Sequence, residues 1–464
     1  MREIHRAALL AGLLAACSFA QQPSAGPVPN APPDEDTPST DPGSFTLGDR
    51  FWVSGQANFV TQYHPSFPAK YSGPNSLMAE SESATSRVLT LFTGVRLSRN
   101  TEFLFDLEEA GGGGLSNALG VAGFTNLDVV RNPTLGQAPY VARIMIHQVI
   151  PLSKEYLEAP RGPLALASRL PVRRLEFRLG KLSTADFFDV NSIGSDSHLQ
   201  FMNWTTDNSG AFDYAADTRG YTYGLLIEYY DRHWALRFGE MLMPTVANGI
   251  TLDWDLARAR GENLEYELHP HLLAKRDTRV RALAYANHAN MGLYRDANLM
   301  PAPDITATRQ QGRVKYGFGL NAEQELTDNL RAYFRAGWND GHSESFAYTE
   351  VDHTVSGGID LRGARWHRPN DKLGCALVVN GISRDHARYL ALGGLGFILG
   401  DGGLRYGLET IVESYYTAHV WRGISLAGDF QQVWDPGYNR DRGPVSVLSF
   451  RLHVEDAVRF KAAE

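Results

Sequence analysis

Arginine and carboxylate residues recur at every second position within otherwise apolar stretches of this chain. Glu102, Asp106, Arg143, Glu176, Arg178, Arg237, Glu265, Glu267, Arg279, Arg281, Arg313, Arg331 and Arg335 all fall on the polar side of such stretches. A guanidinium offers N–H donors in a rigid fork and a carboxylate offers acceptors only, so the two together match the vicinal hydroxyls of a polyol. An aromatic face can receive the C–H side of a sugar ring, and the chain has 20 Tyr and 22 Phe. The chemistry this set suits is reversible binding of neutral sugars along a wet wall. The same charges, paired with one another, would instead hydrate and brace that wall.

A second group lies in the longest connection between strong strand patterns, 183–219. It holds Asp186 and Asp189 in Asp-Phe-Phe-Asp, Trp204 in Phe-Met-Asn-Trp, and Asp213 and Tyr214 in Asp-Tyr-Ala-Ala-Asp. Exposing so many rings to water is costly, so this segment is expected to fold inward and form the constriction of a pore. The competing arrangement is a lid between barrels of an oligomer. Motifs for bond-breaking chemistry are missing: there is no Gly-x-Ser-x-Gly elbow, His-Glu-x-x-His or phosphate loop. Asp189, Asn191 and Gly194 open like a calcium loop, but Ile193 and Gln200 stand where oxygen ligands are needed. His269 and His271 share a strand side with Pro270 between them and no third ligand in sight. No catalytic residue, metal or cofactor is expected.

Positioning these groups requires strands. In Arg331–Trp338, Ala332, Phe334, Ala336 and Trp338 share one face, and Arg331, Tyr333 and Arg335 share the other. The split recurs at Leu175/Phe177/Leu179 against Glu176/Arg178, at Phe103/Phe105/Leu107 against Glu102/Asp106/Glu108, and at Leu264/Tyr266/Leu268 against Glu265/Glu267. It recurs again at Val314/Tyr316/Phe318/Leu320, Leu404/Tyr406/Leu408 and Leu448/Phe450/Leu452.

Connection lengths separate a sandwich from a barrel. Tight polar turns are expected at Arg99-Asn100, Asp231–His233, Lys275–Asp277, Leu326–Asn329, Arg368–Asp371 and Thr417-Ala418. Long segments near 64–86, 109–140, 183–219, 244–261, 288–312, 385–402 and 433–442 alternate with them. Short turns on one side and long loops on the other are the rhythm of a transmembrane barrel. The segments add up to an all-β, antiparallel transmembrane barrel of about sixteen strands, of a size that encloses a lumen. Residues 151–172 break the rhythm: either the fourth strand runs long or a periplasmic excursion exists there. Phe51, Tyr221, Tyr223, Tyr229, Tyr230, Trp234 and Trp338 are expected in an interfacial girdle.

Composition agrees. The 464 residues carry 44 Lys plus Arg against 52 Asp plus Glu, a net charge of −8, which leaves no basic excess for a nucleic-acid partner. Mean hydropathy is −0.28, and past the N-terminus no apolar run is long enough for a membrane helix. Residues 1–20, with Arg2 and Arg6, the apolar run Ala7–Ala16 and Ser18-Phe19-Ala20, read as a secretory signal peptide, while Leu14-Ala15-Ala16-Cys17 also fits a lipoprotein box. Residues 21–48 read as a Pro-rich disordered tether, 49–456 as the barrel, and 457–464 as a C-terminal extension.

Four stretches carry a family likeness. Phe67–Leu77, Phe201–Trp204, Asp213–Gly224 and the closing Gly443–His453, in this order, resemble the carbohydrate-selective outer-membrane porins of the OprB type over most of residues 49–454. The resemblance implies a sixteen-stranded barrel, often trimeric, in a Gram-negative-type outer membrane. It would pass mono- or oligosaccharides by facilitated diffusion through a constriction of arginine and acidic residues, in contact with lipid and lipopolysaccharide. The alternative from the residues alone is a secreted or lipid-anchored surface β-protein that binds polysaccharide.

Overall fold

The computed structural model describes residues 50–130, 135–270 and 276–458. The expected signal peptide and tether, His271, Lys275 and residues 459–464 of the C-terminal extension lie outside the described residues.

Among the described residues, eighteen strands follow one another: β1 (Phe51–His64), β2 (Glu82–Arg96), β3 (Thr101–Gly112), β4 (Tyr140–Pro151), β5 (Tyr156–Glu158), β6 (Arg169–Pro171), β7 (Arg174–Leu182), β8 (Thr222–Tyr230), β9 (Trp234–Leu242), β10 (Arg260–Leu268), β11 (Thr278–Met291), β12 (Gln310–Glu325), β13 (Leu330–Asn339), β14 (His353–Gly363), β15 (Arg368–Gly381), β16 (Glu409–Trp421), β17 (Ile424–Trp434) and β18 (Val445–Ala457). Sixteen of them form one closed antiparallel barrel in which each strand pairs with its neighbour in sequence, except that β4 pairs with β7. The barrel closes by pairing β1 with β18, from Ser54 opposite Ala457 to Tyr63 opposite Leu448. Closure leaves no unpaired edge, as a hydrocarbon surround demands. The skipped β5 and β6 form a separate hairpin, so residues 152–173 are the excursion and not an extended fourth strand.

The alternation sorts the side chains. Phe334 and Trp338 on β13 are 43% and 44% exposed, whereas Arg335 between them is 0%. Leu179, Leu264, Phe318, Val355, Leu448 and Phe450 are likewise exposed, and together they girdle the outside of the barrel. Soluble monomers rarely present such a belt to water; on a closed barrel it is the surface that meets lipid. Rings cluster on this outer face, with Trp338 stacked on Phe318 at 6.3 Å, and Trp234 against Tyr229 and Tyr266 at 4.9 and 5.8 Å.

Several expectations need correction. Tyr221 and Tyr230 turn inward and bond to Glu108 and Glu228, so they do not belong to the girdle. The expected turn at Arg368–Asp371 falls earlier, at 364–367, and the one at Thr417-Ala418 falls later, at Arg422-Gly423. Leu404–Leu408 alternates yet precedes β16 as loop. A further long loop, 340–352, was hidden between two strong strands.

The long loops turn into the barrel. Phe124, Phe188, Phe212, Val351 and Leu399, all from loops, are fully buried there. The apolar core of this protein therefore lies inside its own lumen, toward the long-loop end.

Candidate functional site in the lumen

The connection 183–221 is laid across the lumen and tied to strands on several sides. Asn203 accepts a hydrogen bond from the Thr205 amide and so caps the single turn Trp204–Asp207. Asp189 adopts a left-handed conformation (φ 58°), which aspartate tolerates, and this sharp bend turns its backbone toward the wall. Its amide donates to Glu265 of β10 at 2.8 Å, and its carbonyl accepts from Asn321 of β12 at 2.9 Å and from Arg335 of β13 at 2.8 Å. Arg335 also donates to the Thr206 carbonyl at 2.7 Å and to Ser195 at 2.8 Å. Farther along, Glu413 of β16 accepts from the Met202 and Asn203 amides, and Arg451 of β18 donates to the Ser197 and Gln200 carbonyls.

Between this loop and the wall made by β1 to β4 lies a cavity of about 760 Å³. The wall contributes Gln56, Val88, Phe92, Glu108, Tyr140 and Arg143, and the loop contributes Asp186, His198, Trp204, Asp207, Tyr214 and Tyr221. Arg143 donates through Nε and Nη2 to both oxygens of Asp186 at 2.8 Å and through Nη1 to Asp106 at 3.3 Å. Glu108 accepts from the Tyr221 hydroxyl at 2.9 Å and from Tyr140. Trp204 stacks on Tyr348 at 5.7 Å, and Tyr214 adds a third ring at 4.7 Å. Donors, acceptors and ring faces thus share one water-accessible space, the combination that fits a sugar.

Two loop groups of this space are shifted far from their usual protonation equilibria. Burial pushes the Asp207 carboxyl up to about 8, with Arg335 opposing it. Burial also works against a charged His198, but Asp128 at 3.3 Å outweighs it and the imidazole is pushed up to about 9. At neutral pH these shifts favour a neutral Asp207, and a cationic His198 in an ion pair with Asp128.

Of the thirteen strand residues read from the sequence, Arg143 lines this cavity. Most of the rest form a belt of ion pairs in the half of the barrel near the short turns. Glu102 and Glu176 flank His147 at 3.0 and 2.7 Å; Arg178 joins Glu176 to Glu228 at 2.8 and 2.9 Å; Arg237 joins Glu228 to Glu265 and Glu267; Arg281 joins Glu267 to Glu323 at 2.6 and 2.8 Å. Arg331 pairs with Asp360 and reaches Ser192. Arg279 and Arg313 sit at opposite rims, beside Asp277 and Asp296. Among the loop residues, Asp186, Trp204 and Tyr214 line the cavity. Asp189 and Asp213 do not: Asp189 is the bend just described, and Asp213 accepts from Lys315 and from the Phe346 and Ala347 amides, tying this loop to 340–352.

Sequence reasoning missed His198, Asp207 and Tyr348 as lining groups. No periodic signal marks them, because which loop residue faces the passage depends on how the loop crosses it.

The sequence model of the carbohydrate-selective porin, OprB family, matches residues 82–455. Among solved structures, the high-pH form of Pseudomonas putida OprB is similar with a TM-score of 0.66 at 15% identity, covering 88% of this chain and 95% of that one. Its low-pH form gives 0.47 at 11% identity, covering 88% and 94%. A triple mutant of the Rhodopseudomonas blastica porin gives 0.42 at 9%, covering 88% and 100%. No curated protein matches.

Proposed function

This chain belongs to the carbohydrate-selective porin family of the OprB type, and from that premise we propose which of its residues a sugar meets. The protein is an outer-membrane channel for carbohydrates in a Gram-negative-type bacterium. In our reading, the sugar enters from the long-loop side and crosses the cavity between β1–β4 and the loop 183–221. Arg143, Asp186 and Glu108 serve its hydroxyls, and Trp204 and Tyr214 receive its C–H faces. The observation that carries this is the meeting of these groups in the one 760 Å³ cavity. Passage requires release as well as capture, so the affinity is set at about millimolar, or roughly 4 kcal/mol.

Export by residues 1–20, the tether 21–48, contact with lipid and lipopolysaccharide, and assembly as a homotrimer belong to the same proposal; the mass of the detergent-extracted protein checks the last. Planar-bilayer recording with glucose, arabinose and maltose, with liposome swelling, tests the central claim. Sugars should reduce the ion current, and Arg143→Gln with Asp186→Asn should weaken that block several-fold. Block unchanged by the double substitution would remove these residues from the path.

A further inference from the structure

The excursion 152–173 does not hang below the barrel. After β5 the chain turns up into the lumen, reverses at a tight turn in which Gly162 and Ala165 exchange both backbone hydrogen bonds (2.9 and 3.2 Å), and returns through β6. The tip of this turn, Pro163 and Leu164, lines the same cavity that the loop 183–221 bounds from the other end.

The wall is built to receive it. Arg178 of β7 donates to the Leu164 carbonyl at 2.9 Å, and Glu102 of β3 accepts from the Leu166 amide at 3.0 Å. Arg161 donates to the Leu166 carbonyl at 2.9 Å and lies over the Trp52 ring of β1 at 5.7 Å. Leu166 is fully buried, and Gly94 of β2 makes its room: a Cβ at that position would come within 2.9 Å of Leu166 Cδ1. Below, Ala167 and Leu170 pack on Val149 of β4. A merely tolerated insertion would not have strand side chains from β3 and β7 bonded to its backbone on either side of the tip, and a glycine of β2 leaving room for its buried leucine.

We propose that Arg161–Ala167 is a second constriction, an apolar lip at the periplasmic exit of the passage, and that Leu164 is its selectivity-setting side chain. This rests on the channel reading above. The lip's Pro163 and Leu164 share the cavity with Val88 and Phe92 of β2. An apolar narrowing disfavours hydrated ions, which must shed water to cross it, more than it disfavours a sugar whose C–H faces tolerate the contact. The polar site selects by hydroxyl contacts, and the lip restrains ion leak and solute size.

The experiment uses the full-length porin in planar bilayers. Leu164→Gly, and separately a short Gly-Ser turn in place of Arg161–Ala167, should raise ion conductance by about twofold, as expected if the lip is one of two comparable resistances in series. Sugar block at the polar site should persist, and gel mobility with and without boiling should match the parent. Leu164→Cys in a Cys375→Ser background should lose most of its current on reaction with a bulky, membrane-impermeant thiol reagent. Unchanged conductance in both variants, or full modification of the cysteine with no loss of current, overturns the lip. Loss of sugar block in the unaltered protein would instead overturn the polar site and leave the lip standing.

Discussion

Replacing Arg335 by Met tests whether the loop 183–221 is held by the wall or merely rests in the lumen. The guanidinium is fully buried and gives three hydrogen bonds of 2.7–2.8 Å, to Thr206, Asp189 and Ser195, with Asp189 Oδ2 at 3.3 Å from Nε. Hydrogen bonds from a charged donor contribute about 1.5–3 kcal/mol each, and removing one partner of a buried ionic cluster costs about 3–5 kcal/mol in total. At about 1.4 kcal/mol per decade, the local docking equilibrium should shift by roughly two to three and a half decades. Asp189 keeps its ties to Glu265 and Asn321, and 197–203 keep theirs to Glu413 and Arg451, so release should be confined to the stretch around 194–196 and 206–207. Backbone pairing of β13 with β12 and β14 does not involve the side chain, and the barrel should still form. Single-channel records should show higher and noisier open current with weaker sugar block, while the unboiled protein keeps its compact mobility on gels. A quiet channel of unchanged conductance would refute the pinning argument, and a failure to assemble would move Arg335 from the loop's support to the barrel's.

A charge on the opposite face should behave differently: Phe334→Arg places a cation in lipid and should cost about 2–4 kcal/mol of barrel stability near the midplane, read from urea unfolding in lipid vesicles. Between pH 7 and 10 the lumen loses protons from Asp207, held near 8, and from His198, held near 9, so each step adds negative charge. Reversal potentials should therefore drift toward cation preference as pH rises, and Asp207→Asn should delete the lower step while leaving the upper one. Gly120 sits at φ 81°, where an added Cβ would lie 1.8 Å from the Leu77 amide, so Gly120→Ala should loosen the segment 113–130 by about 1–3 kcal/mol, visible as faster proteolysis of that segment in intact cells.

The wall was legible in the sequence because one physical demand, lipid outside and water inside, acts at every second residue. Phe334 and Arg335, or Leu448 and Ser449, can be assigned to opposite faces without any structure. Turns were less legible, since strands outrun the membrane into polar sequence: β15 begins at Arg368 and β16 runs to Trp421, where composition already reads as turn. Adjacent rings mislead for the same reason. Tyr229 and Tyr230 are alike in type, but one faces out toward Trp234 and the other in toward Glu228. The role of the charged set was the least legible. Periodicity places Arg178 or Arg237 inside, yet only tertiary contacts reveal that their partners are other side chains of the wall and the backbone of inward loops.

That pairing bears on why a lumen rich in charge can serve uncharged solutes. A lone charge a few ångströms from a passing ion acts with about 4 kcal/mol at an effective dielectric of 20, enough to make the passage strongly ion-selective. A guanidinium and carboxylate in contact act only as a dipole, whose field dies away faster and is cut further by salt within about 8–10 Å. In the belt from Glu102 to Glu323 each carboxylate touches a guanidinium or imidazole, and in the cavity Arg143 is held by Asp186 and Asp106. Paired in this way, the charges still present donors and acceptors to a hydroxyl, because a guanidinium in a two-point bond retains free N–H groups. What distinguishes solutes in such a lumen is then the fit of hydroxyls and ring faces between the loop 183–221 and the wall, and the width left by the segments that fold in from either end.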